Sequence, residues 1–94
     1  MAEIVVTVGE QKYVLDIDDV TGTEARAFHK KVGSSLLSGT QGTDLLVYAA
    51  GIKWLVDSRS DVTANFDLIL DSITYGKVKF GGDSEQEAEG DPPA

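Results

Sequence analysis

Ninety-four residues provide enough chain for one domain and too little for two. The chain has no cysteine, which excludes disulfides, thiolate nucleophiles and cysteine-ligated zinc. The net charge is −8, of which the last twelve residues carry −5 and residues 1–82 carry −3. Because this negative excess repels phosphate, we expect no nucleic-acid partner. No apolar stretch approaches a membrane span and no secretory leader opens the chain, which predicts a cytoplasmic protein without a membrane partner.

Two segments with period-two alternation open the chain and predict paired strands. In residues 3–8 the apolar residues on one side are Ile4, Val6 and Val8. In residues 12–17 they are Tyr13, Leu15 and Ile17. Gly9-Glu10 lies between them, and a glycine in first place suits a two-residue hairpin turn. We therefore predict an antiparallel β-hairpin over residues 3–17. One face of it must pack on other elements, because a lone hairpin is hardly stable in water.

A capping motif marks the start of the first helix. The Thr21 hydroxyl and the Glu24 carboxylate are spaced to satisfy free backbone N–H groups, and Gly33 suits a left-handed helix terminator. These signals predict a helix over residues 22–32, with an inner stripe of Ala25, Phe28 and Val32. Residues 34–43 are rich in Ser, Gly and Thr and predict a mobile loop, in which Leu36-Leu37 is an anchor or half a turn of helix.

The strongest helical pattern covers residues 44–59 and is apolar on two sides. Its main stripe consists of Leu45, Tyr48, Ala49, Ile52, Leu55 and Val56. A helix that is apolar on nearly every side is either central to the fold or buried by another chain. Trp54 is therefore either a core residue or an exposed anchor for a partner, because aromatic residues dominate binding hot spots. The candidate partner-binding residues are Val47, Ala50 and Trp54.

The remaining chain predicts one more helix, a short strand and a tail. An amphipathic stripe of Phe66, Ile69, Leu70 and Ile73 predicts a helix over residues 63–74. Lys77 to Phe80 alternates like a third strand. The predicted fold is α+β: an N-terminal β-hairpin, then three α-helices and a short third strand, in a single folded domain over residues 1–80. Residues 81–94 are acidic and contain no apolar residue larger than alanine, which predicts a disordered tail.

No residue pattern predicts catalysis or a metal site. His29 is the only histidine, and a metal site needs several converging ligands. Asp16, Asp18 and Asp19 form a carboxylate cluster that could hold a weak cation, but it lacks the glycine and distal glutamate of a calcium loop. A solvated strand end is the simpler interpretation. We expect a protein that is not an enzyme, has no cofactor and no metal, and works by binding another protein.

Residues 44–78 resemble a known family. The stretch contains AAGIKWLV at residues 49–56, TANFDLIL at 63–70 and ITYGKV at 73–78. This order is similar to the small tail assembly chaperones of long-tailed bacteriophages, especially those that infect actinobacteria. In that family an alanine-rich helix with a Trp and a terminal Arg precedes a Thr-Phe helix and a Thr-Tyr-Gly/Asp-x-Val ending. The acidic carboxyl terminus also fits.

The resemblance implies an assembly factor of the host cytoplasm. Such a chaperone coats the tape measure protein, keeps it soluble and is released as tail tube subunits polymerise. The implied partner is the tape measure protein, with the tail tube protein and a homo-oligomer as further candidates. The alternative is a virion structural protein, such as a tail tube, terminator or connector subunit, although a tube subunit would normally have more strands. An acidic regulator or nucleic-acid mimic would need its carboxylates on the folded surface rather than in the tail.

Overall fold

The first and last elements of the chain form one sheet, and three helices lie between them in sequence. The computed structural model describes residues 3–81. The strands are β1 (Glu3–Val8), β2 (Gln11–Asp16) and β3 (Val78–Phe80), in the antiparallel order β2-β1-β3. The helices are α1 (Gly22–Val32), α2 (Leu45–Ser58) and α3 (Phe66–Ser72), with 3₁₀ turns at Ile17–Asp19, Leu36–Gln41 and Tyr75–Lys77. The predicted α+β fold is confirmed.

The hairpin forms with the expected register and turn. Val8 pairs with Gln11 across the Gly9-Glu10 turn, and Gly9 has a φ of 63°, a conformation that glycine adopts without strain. Val6 and Leu15 point inward and have no exposed surface. β2 ends at Asp16, one residue before the predicted end. The reason is that the Asp16 carboxylate accepts a hydrogen bond from the Asp18 N–H at 3.0 Å and turns the chain into a 3₁₀ turn.

The predicted capping box opens α1. The Thr21 hydroxyl accepts a hydrogen bond from the Glu24 N–H at 3.2 Å, and Glu24 Oε1 accepts one from the Thr21 N–H at 3.0 Å. Gly33 ends the helix in the left-handed conformation, as predicted. The Glu24 carboxylate also accepts hydrogen bonds from the Arg59 guanidinium at 2.8 and 3.0 Å, and this pairing lowers the pKa of Glu24. One side chain therefore caps α1 and ties it to the end of α2.

α2 is the central element of the fold. It contacts α1, α3 and the sheet, and its buried residues are Tyr48, Ala49, Ala50, Gly51, Ile52 and Leu55. α1 crosses it closely at Gly51. A Cβ atom added at Gly51 would lie 2.4 Å from Val32 Cγ2 and 2.6 Å from Phe28 Cε2. α1 therefore covers part of the second apolar side of α2, at Gly51, within the same chain.

α3 is shorter than the predicted helix over residues 63–74. The Asp61 carboxylate accepts hydrogen bonds from the Thr63 N–H at 3.0 Å and the Thr63 hydroxyl at 2.6 Å, which holds that segment in a turn. Asn65 then caps α3 by accepting a hydrogen bond from the Leu68 N–H at 3.1 Å. Phe66 and Ile73, at the two ends of the predicted stripe, are both buried.

β3 closes the sheet and leads to the end of the described chain. The Val5 carbonyl accepts a hydrogen bond from the Gly81 N–H at 2.9 Å, and Gly81 has a φ of 104°. Apart from Gly81, the predicted disordered tail over residues 81–94 lies outside the described residues. Within residues 3–81, no helix is long and apolar enough to cross a membrane.

Candidate functional site

The three candidate partner-binding residues have different environments in α2. Ala50 has no exposed surface, so the prediction that it forms part of an exposed anchor does not hold for this residue. The reason is that α1, α3 and the sheet together enclose the middle of α2. Val47 and Trp54 are partly buried and pack against the core cluster. These two retain accessible surface that a partner can contact.

Trp54 is held in place by contacts on two sides. Its indole Nε1–H donates a hydrogen bond to the Ala64 carbonyl at 3.2 Å, in the connection between α2 and α3. On the other side, Lys31 Nζ from the end of α1 lies 6.0 Å from the ring centroid, at the limit for a cation–π contact. The ring is therefore a fixed part of the surface and joins three segments of the chain.

Two exposed apolar side chains precede and follow Ala64, the residue that Trp54 contacts, in the chain. Val62, in the connection between α2 and α3, is 93% exposed, and Leu68 on α3 is 68% exposed. Ala64 and Leu68 line a shallow depression of about 400 Å³ whose polar members include Asp57 and Asp61. We call Trp54, Val62, Ala64 and Leu68 the Trp54 surface. It offers apolar area to a partner, with carboxylates at its edge.

Sequence reasoning missed Val62 and Leu68 as surface residues, although one signal was available. Leu68 lies off the stripe of α3, beside Asp67 on the side that carries the polar residues, and a leucine there has no core position to fill. Val62 lies between Asp61 and Thr63. Thr63 donates two hydrogen bonds to the Asp61 carboxylate, which fix the turn, and the Val62 side chain is exposed.

A second apolar concavity lies along α1 and includes neither Lys31 nor Trp54. It is an open groove of about 420 Å³ between the first 3₁₀ turn, α1 and the start of the second 3₁₀ turn. Ala25 was predicted to belong to the buried stripe of α1, but it is exposed and lines this groove, because no element covers that part of the helix. Leu36 is buried as the expected anchor, whereas its neighbour Leu37 is 75% exposed. We call this concavity the Leu37 groove.

The titratable clusters of the described chain have local structural roles. His29 is exposed on α1 and lines the Leu37 groove, consistent with the surface position expected for it. The Asp16 carboxylate of the aspartate cluster is used to cap the 3₁₀ turn. Among residues 3–81, no group of three or more His, Cys, Asp or Glu side chains is arranged to hold a metal ion.

Comparisons of the chain with protein-family models, curated proteins and solved structures gave no significant match. The geometry itself provides two apolar surfaces on one small domain, one around a fixed tryptophan and one in an open groove. Exposed leucines beside fixed aromatic or buried residues are suited to burying apolar side chains of another molecule.

Proposed function

We propose that this protein is a non-enzymatic tail assembly chaperone of a long-tailed bacteriophage. In this role it binds the tape measure protein in the host cytoplasm and keeps it soluble until the tail tube forms. The resemblance of residues 44–78 supports the proposal, and the Trp54 surface is the observation that carries it. Leu68 and Val62 are exposed in the segments next to Ala64, whose carbonyl accepts the hydrogen bond of the Trp54 indole.

The Trp54 surface matches the needs of an apolar helical client. Burying an exposed leucine or valine contributes roughly 1.5–3 kcal/mol, so Leu68 and Val62 each add to the affinity for a partner. Trp54 is fixed by the hydrogen bond that its indole N–H donates to the Ala64 carbonyl, so this N–H needs no new partner. The net charge of −8 adds the repulsion that keeps a complex with an apolar client dispersed.

The test is coexpression of the tape measure protein from the same genome with three forms of this chain. We expect the wild type to keep the tape measure protein soluble and to copurify with it, and Leu68→Glu to lose both effects. Leu37→Glu is the matched control, because it makes the same change at a leucine of similar exposure outside the Trp54 surface. Circular dichroism melts should show that both variants fold, since both side chains are exposed.

Two outcomes would count against the proposal. If the wild type neither copurifies with the tape measure protein nor raises its soluble fraction, the chaperone function is refuted. If Leu68→Glu works as well as the wild type, the client binds elsewhere and the Trp54 surface is not the site. Recovery of the protein in purified virions, in amounts like those of the tail proteins, would support a virion structural protein instead.

A further inference from the structure

The strand β2 forms an open edge of the sheet. One side of β2 pairs with β1, and in the described part of the chain no strand pairs with its other side. The backbone of Val5 faces β3, because its carbonyl accepts the hydrogen bond of the Gly81 N–H. Val14 is the partner of Val5 in β2, so the N–H and C=O groups of Val14 point away from β1, into the open edge. This orientation recurs at every second residue, and Lys12 and Asp16 share it.

The side chains of Lys12, Val14 and Asp16 lie on the face of the sheet opposite the core, because the buried residues of β2 alternate with them. Lys12 is exposed, and Val14 is 41% exposed. Asp16 is paired with Glu3 of β1, so two carboxylates lie across from each other on this face. Like charges in that position destabilise a sheet. Asp16 caps the 3₁₀ turn with Oδ1, so its Oδ2 can accept a further hydrogen bond.

We propose that the open edge of β2 binds β2 of a second copy of this chain, which joins the two sheets into one antiparallel sheet. A twofold axis perpendicular to the sheet passes between the two copies of Val14. Lys12 of each protomer then lies opposite Asp16 of the other, because both residues are two positions from Val14. Each of these pairs joins residues whose backbone groups face outward, so each can exchange both of its backbone hydrogen bonds.

A second copy supplies the charge that this edge lacks. In the joined sheet, Lys12 of one protomer lies beside Asp16 of the other, and Glu3 is the next residue across the strands. The two carboxylates that oppose each other in the monomer therefore gain a cation beside them. In the middle of the face, Val5 and Val14 of both protomers form one apolar row, which removes the exposed area of Val14 from water.

The charges of β2 also select this register over its neighbours. Residues that lie opposite each other in an antiparallel pair share a face, so the axis must pass at a residue of the strand. An axis at Tyr13 would place Asp16 opposite Glu10, which brings like charges together. An axis at Leu15 would place Asp16 opposite Val14, which pairs a charge with an apolar side chain. Of these positions, the axis at Val14 places opposite charges at both ends and valines in the centre.

Sedimentation velocity of the full chain over a range of micromolar concentrations tests the dimer. We expect a reversible monomer–dimer equilibrium for the wild type. Val14→Glu and Val14→Lys should each be monomeric, because the axis sets each new charge against its own copy, and an equimolar mixture should form a heterodimer. Val62→Glu is the matched control and should dimerise like the wild type, because Val62 is an exposed valine outside the sheet.

Three results would overturn the proposal. The first is a wild type that stays monomeric up to the highest concentration. The second is a dimer that neither charge at position 14 weakens, which would place the interface elsewhere. The third is a mixture of Val14→Glu and Val14→Lys that stays monomeric while the wild type dimerises. The variants at Val14 leave the Trp54 surface intact, so these outcomes are independent of client binding.

Single-cysteine variants test the register, since the chain has no cysteine of its own. The Cα atoms of a hydrogen-bonded antiparallel pair lie about 5.5 Å apart, which a disulfide can span. Val14→Cys should therefore give a disulfide-linked dimer with oxidised glutathione, seen on a non-reducing gel. Thr7→Cys is the control and should stay monomeric on the gel, because both copies of β2 lie between its two copies. If Val14→Cys cross-links no more than Thr7→Cys, the axis does not pass at Val14 and the proposed pairing is wrong.

Discussion

Gly51 sets how closely α1 and α2 can approach, and replacing it with alanine measures how tightly that contact is packed. The added Cβ would lie 2.4 Å from Val32 Cγ2 and 2.6 Å from Phe28 Cε2. Phe28 has no exposed surface and Val32 is only 7% exposed, so neither side chain can swing into solvent. The two helices must therefore separate or the core must repack.

The expected loss follows from two opposing effects. Alanine in place of glycine in a helix interior gains about 1 kcal/mol. Overpacking a dense core costs about 1–3 kcal/mol, and two contacts this short favour the upper end. We expect Gly51→Ala to lower the free energy of unfolding by about 2 kcal/mol. In a domain of this size that lowers the melting temperature by about 8–16 °C.

Thermal and urea unfolding followed by circular dichroism measures the difference, and Gly22→Ala is the control. Gly22 lies in the first turn of α1, and a Cβ atom there meets nothing within 4 Å. It should be neutral or stabilise the fold by up to about 1 kcal/mol. If Gly51→Ala is as stable as the wild type, the α1–α2 contact relaxes freely and the close-packing argument is wrong.

Three further predictions follow from other parts of the molecule. Trp54→Ala should destabilise the fold by about 3 kcal/mol in thermal melts, because the ring packs on the core; an unchanged melting temperature would show that it does not. The Arg59 guanidinium lowers the pKa of Glu24. The wild type should therefore be more stable than Glu24→Gln at pH values well above 4.5, the ordinary pKa of this carboxyl group. The difference should disappear at lower pH, where the Glu24 carboxylate is protonated. A difference that persists in strong acid would contradict this. Truncation after Gly82 should leave the melting temperature within a few degrees, since the removed residues have no apolar anchor; loss of cooperative unfolding would show otherwise.

Local hydrogen bonding explains why the limits of α1 and α2 could be predicted. Thr21 and Glu24 satisfy each other's backbone groups within four residues, and Gly33 adopts a conformation that few other residues tolerate. Asp44 likewise caps α2 by accepting a hydrogen bond from the Leu46 N–H. Such signals depend only on neighbours in the chain. The start of α3 was missed because Asp61, Thr63 and Asn65 all suit a cap, and only tertiary packing selects among them.

The candidate site depended on contacts that one sequence does not reveal. Ala50 was assigned to an exposed side of α2, but it is fully buried, and α1 approaches α2 closely at the next residue, Gly51. A glycine inside an otherwise apolar helix indicated such a close approach, although it did not identify the partner helix. The prediction that Ala25 is buried was wrong in the opposite sense. Ala25 lies on α1 as predicted, but it is exposed because no element packs against it. In both cases the spacing gave the direction of the side chain, and the neighbouring elements determined its burial.

The pairing of β1 with β3 also constrains how the chain folds. Val8 and Val78 are partners in the sheet, although seventy positions separate them in the sequence. Pairings between such distant residues form slowly, because the entropy of closing a long loop is lost before the contact is gained. During synthesis, β1 and β2 leave the ribosome early, and the outer edge of β1 stays unpaired until β3 has emerged. A product that ends before Val78 would keep that edge open to other strands, and β3 is the strand that covers it in the described structure.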